Sequence, residues 1–271
     1  MTATVYRWEL RKLVSQKRTY AGYIAAAIFA LAFVIVLKVK SNAGVPSDIP
    51  LGPQVKHTGL ALPLVLLQFA SIFGAPLITA LVASDIVATE HQNSTLKTVL
   101  TRSVGRGSLY AGKALAAATY AVTVLLACGI VSLVGATLAF GFHPVHEAAG
   151  ATISAAHALA LVAAGYGVYL RPVLVICSFS FFLSVVTRNG AAALIGALLY
   201  ALAFQLVAAL PGIGSAKHYL LPLQFSAWQS LFHASRDGAS IGSAVWVCAT
   251  YAAVPLVAGW LVFRRRDVAG D

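Results

Sequence analysis

Runs of about twenty residues almost free of charge recur along the whole chain, and they leave it little choice of fold. A helix rises about 1.5 Å per residue, so roughly twenty residues cross a hydrocarbon core about 30 Å thick. Five runs are plain: 20–37, 60–83, 114–140, 191–210 and 241–263. A further run ends at Val186, but its clean part, 173–186, is too short to cross. It is therefore expected to reach back through Pro172 and Arg171 to 165, leaving 151–164 as an interfacial or re-entrant helix. Only 10% of the 271 residues are charged, against about a quarter in soluble domains, which excludes a soluble fold. The expectation is one all-α membrane domain over 1–271 with six transmembrane helices. The first run is long enough to span, so it reads as a membrane helix and not a cleaved signal. Cys128, Cys177 and Cys248 all fall inside apolar runs, which suits buried thiols and indicates neither disulfide nor metal.

The distribution of basic residues orients the spans. With both termini on the cytoplasmic side, the inner segments hold Arg7, Arg11, Lys12, Lys17, Arg18, Lys97, Arg102, Arg106, Lys113, Arg188 and Arg264–Arg266, thirteen of the nineteen lysines and arginines. A seventh span would put one of the terminal basic clusters outside. The net charge of +11 then marks an inner face against anionic membrane lipid. No basic–aromatic interleaving points to nucleic acid.

The first eighteen residues carry a helical pattern of their own. At 100° per residue Tyr6, Leu10, Leu13 and Val14 share one face, and Arg7, Arg11, Lys12 and Arg18 the other. A basic amphipathic helix beside a span is expected to lie in the headgroup layer, with Trp8 as an interfacial anchor. On the outer side, 211–240 is long for a connection and rich in apolar residues, among them Leu221, Phe225 and Trp228. Short helices dipping back into the outer leaflet are expected there.

Between the second and third runs lies a polar island, 84–113, reading SDIVATEHQNSTLKTVLTRSVGRGSLYAGK. Ser94 has the chemistry of a helix N-cap, and Leu96, Val99 and Leu100 would then line one face of a short helix. Such a helix, lying across the mouth of two spans, can seat in a groove of a soluble partner.

In this island Asp85, Glu90, Thr95-Leu96, Leu100, Arg106 and Lys113, in that order, resemble the signature of ABC-2-type transporter permeases. Six spans, the basic amphipathic start and the long last outer loop are similar too, and the chain looks like the small stand-alone bacterial exporter permeases. It departs from the family's pattern at Ser94, where Gly is frequent, and at Ser103, where Pro is frequent; both keep helix-start chemistry. The resemblance implies a permease half with an interfacial elbow helix at 1–18 (Tyr6, Arg7, Trp8, Leu10, Arg11 and Leu13) and a cytosolic coupling helix at 95–102. It implies a contact with a cytosolic ATP-binding subunit through Glu90, Ser94, Thr95, Leu96, Val99, Leu100, Arg102, Arg106 and Arg188. It also implies a second permease half, identical or different, and a bacterial cytoplasmic membrane. The chain has no GxxxxGK[ST] phosphate cradle, so it is expected to hold no cofactor itself, with ATP and Mg on the partner and no catalytic residue here.

Polar residues within spans are the guide to a substrate path, since polar groups facing lipid are costly. Gln68, Ser71, Thr79, Gln205 and Arg171 are the candidates, each with interhelical bonding or snorkelling as its structural role. Few ionisable groups in the spans favour an apolar or amphipathic cargo: a peptide, an antibiotic or a lipid-like molecule. His143 and His146 with Glu147 lack a further ligand in sequence, so no metal is expected. Three other classes stay open. A secondary transporter would need a mid-membrane acid or inverted repeats. A membrane-embedded enzyme would need a paired nucleophile and base, for which only Ser154 and His157 stand close in sequence. A membrane anchor of a regulatory complex would use the same island without moving cargo.

Overall fold

The computed structural model describes residues 2–39, 58–92, 105–146, 152–212, 214–232 and 238–265. Among them the chain is almost wholly helical: α1 (Thr2–Ser15), α2 (Lys17–Val39), α3 (Leu62–Ala70), α4 (Gly74–Gln92), α5 (Arg106–Phe140), α6 (Ala155–Thr187), α7 (Gly190–Ala209), α8 (Leu221–Ser226) and α9 (Gly238–Arg265). A two-residue antiparallel pair, Val145–His146 with Thr152–Ile153, closes the α5–α6 connection. Helices α2, α5, α6, α7 and α9 are each long and apolar enough to cross a membrane, and α3 with α4 makes a sixth, bent by 64°. The protein is an all-α, multi-pass membrane protein.

Local chemistry sets the boundaries. Glycines bracket α5: Gly105 is its extended N-cap and Gly141, at φ 82°, ends it. Helix α6 starts at Ser154, whose hydroxyl accepts the His157 backbone N–H at 3.4 Å, and ends at Arg188 in the left-handed region (φ 55°). The next residue, Asn189, opens α7 by accepting from the amides of Ala191 and Ala192.

Three elements differ from the sequence expectation. The second span is broken at 71–73. Pro76 has no N–H for the Ile72 carbonyl four residues back, and its ring crowds that carbonyl, so the helix restarts at Gly74. The freed oxygens are capped from α7: Gln205 Nε2 donates to the carbonyls of Ser71 (3.3 Å) and Ile72 (3.1 Å). The fourth span is not preceded by a separate interfacial helix, because α6 runs unbroken for 33 residues. From Ala155 to Ala164 the sequence contains no breaker and the serine cap lies ahead of it. The third span likewise begins at Arg106 and not at 114, so the polar island feeds into helices at both ends.

Helix α6 is central, packed along α4 and α9 and also against α5 and α7; α5 carries α1 and α2 on its other side. Lipid tails are as apolar as side chains, so such helices associate by close packing and hydrogen bonds. Ala80, Ser84 and Ala88, one turn apart on α4, are all buried. Against this small-residue stripe Ser180 Oγ donates to the Ala80 carbonyl at 3.1 Å, and Ser184 Oγ accepts the Ala88 N–H at 3.1 Å. At the far end Leu221, Phe225 and Trp228 turn into the bundle, Phe225 meeting Tyr169 edge-on. Ile24, Ile28 and Ile35 of α2 and Leu199 and Leu206 of α7 face outward, as lipid-facing positions do.

The α2–α5 contact gives a test. The Tyr120 hydroxyl lies 1.7 Å from where a Gly22 Cβ would sit. Gly22→Ala is expected to destabilise the protein by about 1–3 kcal/mol through overpacking. Tyr120→Phe in the same chain should restore most of that loss, measured by unfolding in detergent; no recovery would contradict the packing.

Candidate functional site

Charged side chains converge at the end of the bundle where α4 stops and α5 starts, here the basic end. Lys113, two turns into α5, is fully buried. Its ammonium donates to Glu9 of α1 at 2.8 Å, lies 2.7 Å from Glu90 of α4, and reaches the Ile86 carbonyl at 3.3 Å. Glu9 and Glu90 are themselves 1% and 3% exposed. Lys12, one turn after Glu9 on α1, closes the arrangement by pairing with Glu90. Two acids and two bases thus alternate, Glu9–Lys113–Glu90–Lys12, and the group is neutral. Isolated buried ions would be prohibitive; alternation with short contacts is what makes the burial tolerable.

A second ion pair flanks it. Arg18, at the start of α2, pairs with Asp85, five residues before Glu90 on α4. The other oxygen of Asp85 lies 1.8 Å from where a Gly190 Cβ would stand. A side chain at the first position of α7 would displace that carboxylate from its present place. The corner between α1 and α2, at Gln16, is therefore tied to α4 on both sides, by Lys12 to Glu90 and by Arg18 to Asp85. Arg106 reaches across to the Arg264 carbonyl of α9 at 3.0 Å.

Toward the end of the bundle away from these charges lies a cleft of about 310 Å³. Its walls include Gln68 and Ser71 beside the α3–α4 break, Gln205 of α7, and Leu221 and Phe225 of α8. Gln229 Nε2 donates to Gln68 Oε1 at 2.9 Å. The lining is uncharged and mixed, amides and a hydroxyl among apolar side chains. Broken backbone at membrane depth persists where it is buried in protein or lines a cavity, and here it does both.

The sequence candidates divide accordingly. Gln68, Ser71 and Gln205 come together in the cleft. Thr79 does not: it bonds the Ala75 carbonyl of its own helix at 2.6 Å. Arg171 lies half-buried on α6 and does not line the cleft. Ser94, Thr95, Leu96, Val99, Leu100 and Arg102 lie outside the described residues, as does the coupling helix they would form. Glu90 is turned inward onto lysines of its own chain; Arg106 and Arg188 stay at the basic end. On α1, Leu13 is buried and Tyr6 and Leu10 pack against the core, while Arg7, Trp8 and Arg11 are exposed. Val14, expected on the apolar face, is 63% exposed, because α1 seats along Val5, Glu9 and Leu13 instead. His157 and Ser154 meet only as a helix cap.

Glu9 was passed over in the sequence. The signal was its position: three residues after Tyr6 and four before Leu13, an acid on the apolar face of a basic helix.

Residues 52–269 match a protein family described as "Protein of unknown function (DUF2705)". The chain belongs to that family. No curated protein matches it. The matched stretch contains Asp85, Glu90 and Lys113 of the charged group, while Glu9, Lys12 and Arg18 precede it. Thus the DUF2705 match covers the α4 and α5 side of the ring.

Removing one partner from a buried ion group strands the others. Lys113→Met is expected to lower stability by about 3–5 kcal/mol. Glu9→Gln/Lys113→Met/Glu90→Gln, which leaves no buried acid unpaired, should lose clearly less, by detergent unfolding. Equal losses would mean the ammonium acts by its bulk alone.

Proposed function

We propose that this chain is the membrane-spanning permease subunit of an ATP-driven exporter, moved by a separate cytosolic ATP-binding subunit through the segment 84–113. In this reading the basic end faces the cytoplasm, both termini are cytoplasmic, and the bilayer is a bacterial cytoplasmic membrane. Helix α1 is the elbow and 95–102 the coupling helix. ATP and Mg belong to the partner, and a second permease half completes the transporter.

The observation that carries the reading is the base of the polar island. Glu90 stands in the last turn of α4 before the island and Lys113 two turns into α5 after it, and these two side chains are 2.7 Å apart. A push on the intervening segment is thereby delivered to α4 and α5 together. That is what a soluble motor needs in order to move spans as rigid bodies. The link at 187–190, which packs against Asp85 of α4 at Gly190, would give the same partner a smaller second contact.

The uncharged cleft at the α3–α4 break supports a cargo that is apolar or amphipathic, such as a peptide, an antibiotic or a lipid-like molecule. Its amides could orient a polar group while Leu221 and Phe225 meet the apolar part. A secondary transporter would want a titratable group in this cleft, and among the described lining residues none is present.

The test is co-purification of the tagged chain from its native membrane. The expected result is a stoichiometric ATP-binding subunit that is lost with Leu96→Asp while the permease itself stays folded. A chain that comes through without any ATPase, in detergent that preserves other complexes, would overturn the reading.

A further inference from the structure

The way the four charges at the basic end are shared has a directional consequence. Glu9 and Lys12 both belong to α1; Lys113 and Glu90 belong to α5 and α4. If α1 leaves, the ring divides into two neutral halves. Lys113 keeps Glu90 at 2.7 Å, and Glu9 and Lys12, one turn apart, go into water together. If α4 leaves instead, Glu90 departs alone; if α5 leaves, Lys113 departs alone. Among the three helices only α1 carries away an acid and a base together and leaves a paired acid and base behind.

Three further observations point the same way. The second oxygen of Glu9 is buried without a hydrogen-bond partner among the described residues, a penalty of docking that undocking relieves. Helix α1 is separated from α2 by the non-helical Gln16, with Arg18–Asp85 fixing the chain just beyond it, so a hinge and its anchor are both present. Among the described residues, the other polar ties of α1 to the bundle are between hydroxyls: Thr2 with Ser108 at 3.4 Å and Tyr6 with Thr119 at 2.8 Å.

We infer that α1 is a detachable latch: it swings about Gln16 between a docked seat on α5 and a released position, while Lys113 and Glu90 stay paired in the bundle. Released, its Tyr6, Leu10 and Leu13 face with Arg7, Arg11 and Lys12 beside it suits the headgroup layer of an anionic membrane. Docked, it braces α4 and α5 beside the polar island. The latch is a property of this chain and stands or falls separately from any ATPase.

Two measurements on the full chain in proteoliposomes test it. Thr2→Cys/Ser108→Cys puts thiols where two hydroxyl oxygens are 3.4 Å apart, so oxidative cross-linking reports the docked seat wherever the released helix goes. Adding Glu9→Gln/Lys12→Gln is expected to slow cross-linking about tenfold, a population shift toward release. Thermal unfolding of Glu9→Gln/Lys12→Gln should stay at the parent midpoint, whereas Lys113→Met should lower it. Unchanged cross-linking would overturn the latch, since apolar contacts would then hold α1 unaided. A midpoint lowered as far as by Lys113→Met would also overturn it, since α1 would be part of the core.

Discussion

Everything at the basic end depends on one ammonium group held out of water. Lys113 is buried along its whole length, and a lysine is seldom found so unless paired. Its charge requires acids within hydrogen-bond reach, and α1 and α4 each supply one. A second lysine on α1 then balances the second acid. The relative positions of α1, α4 and α5 follow from that requirement. Those three helices are also the ones that flank the polar island or precede it. Ionic groups of this kind add little net stability compared with apolar packing. What they supply is register: a shift of α1 by one residue would bring Leu10 or Trp8 to the site now filled by Glu9.

The α3–α4 break is organised by a different shortage. Pro76 deprives the Ile72 carbonyl of its donor, the second span bends, and a side-chain amide from α7 takes the place of the lost N–H. The same bend opens the cleft in which Gln68, Ser71 and Gln205 converge. Here structural and functional roles are carried by the same atoms. Gln205 is a cap for broken backbone first, and its position as cavity lining follows from that.

The spans were legible because their signal is length and apolarity, which need no tertiary information. The break in the second span was less so: Pro76 announced a disturbance, but whether a proline kinks or breaks a helix depends on who caps the freed carbonyls, and Gln205 is 133 residues away. The start of α6 was set at 165 because a run from there to Val186 already suffices to cross, although ten uninterrupted helix-forming residues and a serine cap lay upstream. For the charged ring, Glu90 and Lys113 could be singled out from the island. Their mutual pairing could not, because ion partners on different helices leave no spacing to read. Glu9 left a local trace, an acid on the apolar side of α1, and periodicity counted by hydrophobic residues alone overlooks it.

The central claim is that Lys113 and Glu90 act as a pair that joins the two helices bounding the polar island. A double-mutant cycle of Lys113→Met and Glu90→Gln, followed by unfolding in detergent, tests it most directly. The account predicts a coupling free energy of about 1–3 kcal/mol between the two positions. Additivity within about 0.5 kcal/mol would contradict it, since the two side chains would then be neighbours without being partners.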